Sequence, residues 1–386
     1  MSMTKNTKRN ILFLTGTRAD FGKLKSLMTK IQEDDEFELN IFVTGMHMLS
    51  KYGYTCIEVE KAGFRNLYKF INQNATDSMD HILSKTISGL SDYVKETRPD
   101  LLIIHGDRVE ALAGATVGAL NNLLVGHIEG GEVSGTVDEL IRHATSKLSH
   151  IHFVSNESAK KRLVQLGEKK ETIHVIGSPD VDVMNSSNLP TIDEVRNRYE
   201  FDFKQYGILI FHPVTTELDD IDRQIDTVVQ EVVNSKLNYV IIYPNNDIGT
   251  DAILSRYRKL EGMKQIRLYP SMRFECFLTL LKNADFIIGN SSAGIREAPH
   301  FGVPTINIGT RQNNRAKCDS ILNVPAESQA IRNALIEARR QERQVNALFG
   351  TGGSDEQFYS IVKGPEFWKI STQKTFVDWT SNPPTP

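Results

Sequence analysis

The sequence predicts an α/β protein built from two Rossmann-like, doubly wound halves with a cleft between them. Three observations carry the prediction. Short apolar runs alternate with helical stretches along the chain, the β-α-β rhythm of a parallel sheet. Each apolar run hands over to a polar loop, which puts those loops on one side of each sheet. The rhythm pauses once, at the polar stretch NSSNLPTIDE after Gly177-Ser178-Pro179-Asp180, and then resumes, so a domain boundary falls near residue 185. A chain of 386 residues suits two domains of ordinary size.

In the first half, NILFLT (10–15) reads as a strand. The loop Gly16-Thr17-Arg18-Ala19-Asp20-Phe21-Gly22 follows it and opens a helix from about Lys23. Residues 37–43 read as the second strand, with Gly45-Met46-His47-Met48 behind it, and 81–96 has helical spacing. The strands 101–104 and 123–125 run into His105-Gly106-Asp107-Arg108 and His127-Ile128-Glu129-Gly130-Gly131-Glu132, and 151–154 and 172–176 read as later strands. In the second half, YGILIF (206–211) ends at His212-Pro213 and YVIIY (239–243) at Pro244-Asn245-Asn246-Asp247. The strand 285–288 ends at Gly289-Asn290-Ser291-Ser292, and 305–308 at Gly309-Thr310-Arg311. The tail NPPTP is expected to be unstructured.

The composition is 40% hydrophobic and 24% charged, with a net charge of −3, as in a globular protein without a basic excess. That balance argues against nucleic acid as a partner, so an anionic ligand must be held by a local site. The cysteines Cys56, Cys276 and Cys318 are scattered and odd in number, which fits reduced thiols. Residues 1–10 are polar and do not read as a signal peptide. No apolar run approaches the ~20 residues needed to cross a bilayer, so a cytoplasmic protein without a membrane partner is expected.

Ligands of open parallel sheets bind beyond the carboxyl ends of the strands. Asp107, Glu129 and Asp138 stand at or just after such ends and are expected to converge on one cleft with Arg108 and nearby histidines. Arg18, Arg108, His212 and Arg311 also follow strand ends, where a phosphate-bearing ligand needs cations. In GNSSAGIRE (289–297), the glycine, Ser291 and Ser292 can present backbone N–H groups and hydroxyls to a diphosphate; plain N-capping is the competing reading. Glu297 can accept from ribose hydroxyls. Neither a P-loop nor GxGxxG follows the first strand, which favours a mononucleotide diphosphate over ATP hydrolysis or a dinucleotide. Asp180-Val181-Asp182 resembles a cation-holding D-x-D, but its place in the interdomain connection favours a hinge or cap. The histidines lack zinc spacing, so no metal is expected.

HGDR, HIEGGEVSGTVDELIRHA, FHPVTT, GNSSAGIRE and GTRQ, in this order, resemble the hydrolysing UDP-N-acetylglucosamine 2-epimerases of sialic acid biosynthesis, and the resemblance runs from the first strand to about residue 364. It implies a GT-B-like fold with the UDP-sugar in the cleft between the domains. The implied division is 1–185 for the domain carrying the acids, joined by a returning segment 366–386, and 186–365 for the UDP-binding domain. It implies no metal or nicotinamide cofactor, a UDP-sugar substrate and UDP product as partners, and a homodimer or homotetramer.

The implied reaction converts UDP-N-acetylglucosamine and water to N-acetylmannosamine and UDP, by anti elimination to a glycal and then hydration. Asp107, Glu129 and Asp138 match the family's catalytic acids, Glu129 and Asp138 following Asp107 by 22 and 31 residues. Asp107 is favoured as the base at C2, with Glu129 and Asp138 acting in hydration. Acids sharing a dry pocket are expected to raise one another's pKa values, leaving some protonated near neutrality. The UDP side carries over as Arg18, Arg108, His212, Asn245, Ser291, Ser292, Glu297 and Arg311, and the sugar pocket as His47 and His143. The alternative substrate is a 2,4-diacetamido-2,4,6-trideoxy UDP-sugar; a GT-B glycosyltransferase and a non-catalytic nucleotide-sugar sensor are the other readings. Non-hydrolysing epimerases share the fold but return UDP-N-acetylmannosamine.

Overall fold

The computed structural model describes residues 8–74, 76–375 and 377–378. The tail expected to be unstructured lies outside them. Among the described residues, no helix is long and apolar enough to cross a membrane.

The first sheet is built from Arg9–Thr15 (β1), Phe37–Val43 (β2), Leu67–Lys69 (β3), Leu101–His105 (β4), Leu124–Ile128 (β5), Ile151–Val154 (β6) and Ile173–Val175 (β7). The second contains Gly207–Ile210 (β8), Tyr239–Ile242 (β9), Ile266–Tyr269 (β10), Phe286–Gly289 (β11), Thr305–Ile308 (β12) and Ile321–Val324 (β13). Their orders are β3-β2-β1-β4-β5-β6-β7 and β10-β9-β8-β11-β12-β13, with parallel pairing throughout. These are the two doubly wound sheets the sequence predicts. In each sheet the strand order reverses at one place, between β1 and β4 and between β8 and β11. A crevice opens at such a switch point. The four loops that leave these strands carry Arg18, Asp107 with Arg108, His212, and Ser291 with Ser292.

The strands read as near-continuous apolar runs because both faces of each sheet are covered. Phe13, Leu24, Ile103 and Phe153 belong to the core on one face of the first sheet, and Leu12, Phe42, Leu90 and Val125 to the core on the other. The second sheet is sandwiched likewise, with Ile208 and Ile287 on one side and Leu209 and Ile288 on the other.

Three departures from the sequence reading have physical causes. The strands β3, β10 and β13 were not anticipated; all are sheet edges, short and only partly buried, so their apolar signal is weak. The first helix begins at Arg18, not near Lys23, because Thr17 and Asp20 form a capping box. β5 extends to Ile128, so His127 is a buried strand residue and not a loop residue.

The chain also returns to the first domain before residue 366. The helix Ser354–Lys363 places Phe358 and Val362 in the N-terminal core, with the Phe358 ring 4.9 Å from Phe153 and 6.2 Å from Phe13. Beyond it, Phe367 enters the same core, and the Lys374 ammonium donates to the Ser149 carbonyl at 2.6 Å.

Candidate active site

Between the two switch points lies a cavity of about 330 Å³. Its N-terminal wall is built at the ends of β1, β4 and β5. After β4 the chain turns at Gly106, whose φ of +74° is the left-handed conformation glycine tolerates, and presents Asp107. The Asp107 carboxylate accepts from the Arg142 guanidinium, whose Nε and Nη1 are buried without partners. Arg142 and Asp138 share the helix Val137–Leu148, which Thr136 caps by accepting from the Asp138 N–H at 3.3 Å. Asp138 in turn accepts from Arg311 of the opposite wall at 3.0 Å.

Glu129 follows β5 with φ +64°, an uncommon conformation for a residue with a Cβ, and strain of this kind gathers at functional sites. Its carboxylate accepts from His105 Nε2 at 3.0 Å and, on the other oxygen, from Arg296 and Ser178. Burial pushes the Glu129 carboxyl up, but Arg296, Lys23 and His105 outweigh it and hold the pKa well below the usual carboxylate range. This corrects the expectation of mutual pKa raising for Glu129, whose cationic neighbours outweigh the acid beside it, Asp180. Burial does raise Asp20 in the cavity lining, which accepts from the Thr15 hydroxyl and the Gly16 N–H, both at 2.8 Å.

The C-terminal wall is set by Gly289. Its φ of +129° and close approach to the Ile210 carbonyl leave no room for a Cβ, and they bring the loop after β11 against the loop after β8. Asn290 then clamps the His212 backbone, accepting from its N–H at 2.6 Å and donating to its carbonyl at 2.8 Å. His212 Nδ1 accepts from the Asn245 N–H at 3.0 Å. Burial, reinforced by Arg311, drives its pKa well below 6.5, so the ring is neutral with its proton on Nε2. Ser291 accepts from the Ala293 N–H at 3.3 Å, the capping role weighed above, but the segments that follow are only a 3-10 turn (Ser292–Gly294) and a one-turn helix (Glu297–His300). The dipole available to an anion is therefore that of a loop end, smaller than a long helix would give. Glu297 pairs with Lys23 at 3.4 Å through one oxygen and leaves the other buried without a partner, as Asn245 does with its Oδ1.

Arg18 donates to Ser271 at 2.9 Å and faces Glu58 at 3.6 Å; Arg108 donates to Asn246 at 2.8 Å and to Glu110 at 3.3 Å. Burial lowers the Arg108 pKa, but Glu110, Asp247, Asp138 and Asp20 overcome it and raise it. The Arg18–Ser271, Arg108–Asn246 and Arg311–Asp138 contacts cross between the domains, so the cleft is closed.

All three acids and all eight residues assigned to the UDP side line this one cavity. The two histidines expected in the sugar pocket do not line it. His47 is fully buried behind the wall, bonded to Thr15 at 3.2 Å and Thr55 at 2.7 Å, and burial pushes its pKa down to about 3. His143 stands partly exposed, 3.6 Å from Glu139 on its own helix.

Sequence reading missed Arg296, Glu132, Lys23 and Asp180, which form a buried charge knot beside the cavity. Arg296 and Glu132 lie inside the quoted motifs, but their pairing joins positions 164 residues apart and leaves no local signal. Asp180 accepts from Lys23 at 2.9 Å, and Asp182 caps the helix Ser354–Lys363 by accepting from the Ser354 N–H at 3.1 Å. The D-x-D carboxylates are thus engaged by the protein itself, Asp180 by Lys23 and Arg296 and Asp182 as a cap.

Comparison with known proteins agrees with this geometry. The sequence model of the family described as UDP-N-acetylglucosamine 2-epimerase matches residues 29–363. A Neisseria meningitidis serogroup B protein named UDP-N-acetylglucosamine 2-epimerase is 49% identical over 96% of this chain and 99% of its own. A Legionella pneumophila protein named UDP-N,N'-diacetylbacillosamine 2-epimerase (hydrolyzing) is 35% identical over 92% of this chain and 96% of its own. Polysialic acid biosynthesis protein P7 of Escherichia coli is 33% identical over 92% and 88%. The fold matches the crystal structure of the Methanocaldococcus jannaschii UDP-GlcNAc 2-epimerase in complex with UDP-GlcNAc and UDP, with a TM-score of 0.79 at 21% identity over 92% of this chain and 99% of that one. On its sequence and its fold, this chain belongs to the UDP-N-acetylglucosamine 2-epimerase family.

Proposed function

We propose that the chain is a hydrolysing UDP-N-acetylglucosamine 2-epimerase that converts UDP-N-acetylglucosamine and water to N-acetylmannosamine and UDP. The observation that carries this reading is the meeting of three acids and the cationic, hydroxyl-bearing UDP side on one closed interdomain cavity. The similarity to the Neisseria relative supports the N-acetylglucosamine substrate, and that to the polysialic acid protein supports a place in sialic acid biosynthesis.

The C2 proton is weakly acidic, so C1–O cleavage runs ahead of its removal and builds positive charge at C1. In the first step the C1–O bond to UDP breaks, a base takes the C2 proton, and the electron pair closes the C1–C2 double bond. Asp107 is assigned as that base, and Arg142 against it fixes its carboxylate. Arg18, Arg108 and Arg311 offset the charge of the departing diphosphate, and the Nε2–H of neutral His212 donates to it without adding charge. Glu129, paired with Arg296, enters as a carboxylate that stabilises the cation at C1. In the second step the C1–C2 double bond opens, its electron pair taking a proton at C2 from the opposite face while the water oxygen bonds to C1. The water releases one proton to a carboxylate, so one proton is consumed and one returned; Asp138, bridged to Arg311, is assigned to this hydration. Elimination followed by hydration leaves the sugar's overall oxidation level unchanged, so the chemistry calls for no redox cofactor.

The test is an NMR time course of the protein with UDP-N-acetylglucosamine in deuterated water. Free UDP together with N-acetylmannosamine deuterated at C2 is the expected result. UDP-N-acetylmannosamine without free UDP would overturn hydrolysis. No turnover, followed by UDP release from the 2,4-diacetamido-trideoxy analogue, would move the chain to the bacillosamine-type substrate.

A further inference from the structure

Arg296 is a buried guanidinium, 1% exposed, with each edge committed. Nη1 donates to both Glu132 oxygens at 2.5 and 2.6 Å, and Nε donates to Asp180 at 3.3 Å. Glu132 is itself fixed by Ser155 at 2.9 Å and Arg315 at 3.3 Å, and the guanidinium carbon lies 4.4 Å from the centre of the Phe349 ring. With two edges and a face clamped, the remaining Nη2 points at Glu129. A planar fork can serve three acceptors in this way; a lysine ammonium cannot hold the same geometry. Glu129 and Glu132 follow β5 of the first sheet, Asp180 lies in the connecting helix Pro179–Met184, and Arg296 and Arg315 come from the second domain. The knot is complete only when the domains are together.

We propose that Arg296 is a positioning residue that reaches across the domain boundary to orient the Glu129 carboxylate and hold it ionised, so that Glu129 is set for reaction only in the closed enzyme. This rests on the reading of Glu129 as one of the reacting acids. The groups facing Glu129 are Arg296, Lys23 of the helix Arg18–Glu33, His105 at the end of β4, His127 of β5, Asp180 and Glu132. Burial holds His127 neutral, with its pKa pushed down to about 3. Asp180 and Glu132 oppose a charge on Glu129, which leaves Lys23, His105 and Arg296 to favour it. Lys23 is already shared between Asp180 and Glu297, at 2.9 and 3.4 Å. Separation of the domains removes the Arg296 guanidinium from Glu129 and leaves Asp180 and Glu132 beside it.

The experiment follows the glutamate side-chain carboxyl signals of the full-length, ligand-free protein by carbon-13 NMR between about pH 4 and 8, with the Glu129 signal assigned by its loss in Glu129→Gln. In the wild type this signal is expected not to titrate in that range. In Arg296→Gln its midpoint is expected to rise by about one unit or more, a tenfold change in proton affinity. The acid limb of the kcat profile should rise with it, while UDP binding stays within about threefold. Arg296→Lys should fall between the two. If Arg296→Gln does not fold, Arg296→Lys and Glu132→Gln carry the same readout. A Glu129 signal that titrates identically in the variants, or a kcat loss with an unmoved acid limb, would overturn the proposal. Because the NMR titration needs no substrate, a wild type that fails to turn over UDP-N-acetylglucosamine would count against the proposed activity and leave the Arg296 result readable.

Discussion

The N-terminal wall of the cleft holds three acids, each matched to an arginine: Asp107 to Arg142, Glu129 to Arg296 and Asp138 to Arg311. The C-terminal wall instead offers uncharged or partly free groups, the neutral ring of His212, the hydroxyl of Ser292, and buried oxygens of Asn245 and Glu297 without partners. Buried carboxylates are stable only when paired, and Glu129, the buried member of the three, has its pairing in place before any ligand arrives. Unpaired polar groups are costly when buried, so the second wall is poised to be satisfied by a ligand's own donors and acceptors. The difference separates acids that move protons from groups that hold a nucleotide, to which Arg18 and Arg108 of the first wall also contribute, and variants of each kind should fail in different ways.

The largest effects belong to the acid wall. Asp138→Asn should lower kcat by about 10²–10⁴-fold, the usual range for a lost acid–base group. UDP affinity measured by calorimetry should change far less; a matching loss of UDP affinity would merge the two walls into one. On the opposite wall, Ser292→Ala or His212→Ala should raise KM by about 10–100-fold, as expected for a lost hydrogen bond to a charged group. Steady-state kinetics in which kcat falls further than KM rises would break the assignment.

The scaffold behind both walls predicts a stability effect that turns on the returning helix. Phe358 is fully buried in the N-terminal core, so Phe358→Ala should cost about 3–5 kcal/mol. In denaturant titrations of this variant the N-terminal wall should loosen first; hydrogen exchange in β1 and β6 rising ahead of β8 and β11 would show it.

Acid should destabilise the closed form, and the sign is the same for both kinds of group. Burial lowers the pKa of His47 and His127 to about 3, against an ordinary value of 6.5. The unfolded chain therefore binds protons that the folded chain cannot, and stability falls as pH drops below 6.5 towards 3. The slope is about 1.4 kcal/mol per pH unit for each such histidine. Glu129 and Asp180, also held below their ordinary values, add to the loss further down, as pH falls through the unfolded carboxyl range. Thermal unfolding should show Tm decreasing steadily from pH 7 to about pH 5. A flat profile would mean these groups are not buried as described. The smallest effect is expected at His143, which lies off the cavity: His143→Ala should keep kcat/KM within about threefold, well under the loss typical of a catalytic group.

The strands at the switch points were legible because each is an apolar run stopped by a polar loop, and residues at strand ends, from Arg18 to Arg311, line the cavity for the same reason. Position along a strand end is a local property, and the fold turns it directly into position in the cleft. The edge strands, such as Leu67–Lys69 with its exposed Tyr68 and Lys69, escaped because half-buried edges carry little periodic signal. The burial of His47 behind the wall is not legible in the sequence, since Thr15 and Thr55, which hold it inside, sit on neighbouring segments that only tertiary packing brings to it. Arg296 was overlooked inside a motif that had been read for its serines. Its partners Glu129, Ser178 and Asp180 gather only when the two sheets meet.

The division between the walls is tested most directly by Asp107→Asn, assayed for turnover of UDP-N-acetylglucosamine and for UDP binding on the same preparation. The asparagine keeps an oxygen that can accept from Arg142 and removes only the proton-accepting charge. The account predicts a turnover loss of about 10³-fold with the UDP dissociation constant unchanged within about threefold. Turnover that survives the substitution, or UDP binding that falls in step with it, would contradict the assignment of chemistry to the acids of the N-terminal wall and of nucleotide binding to the residues of the UDP side.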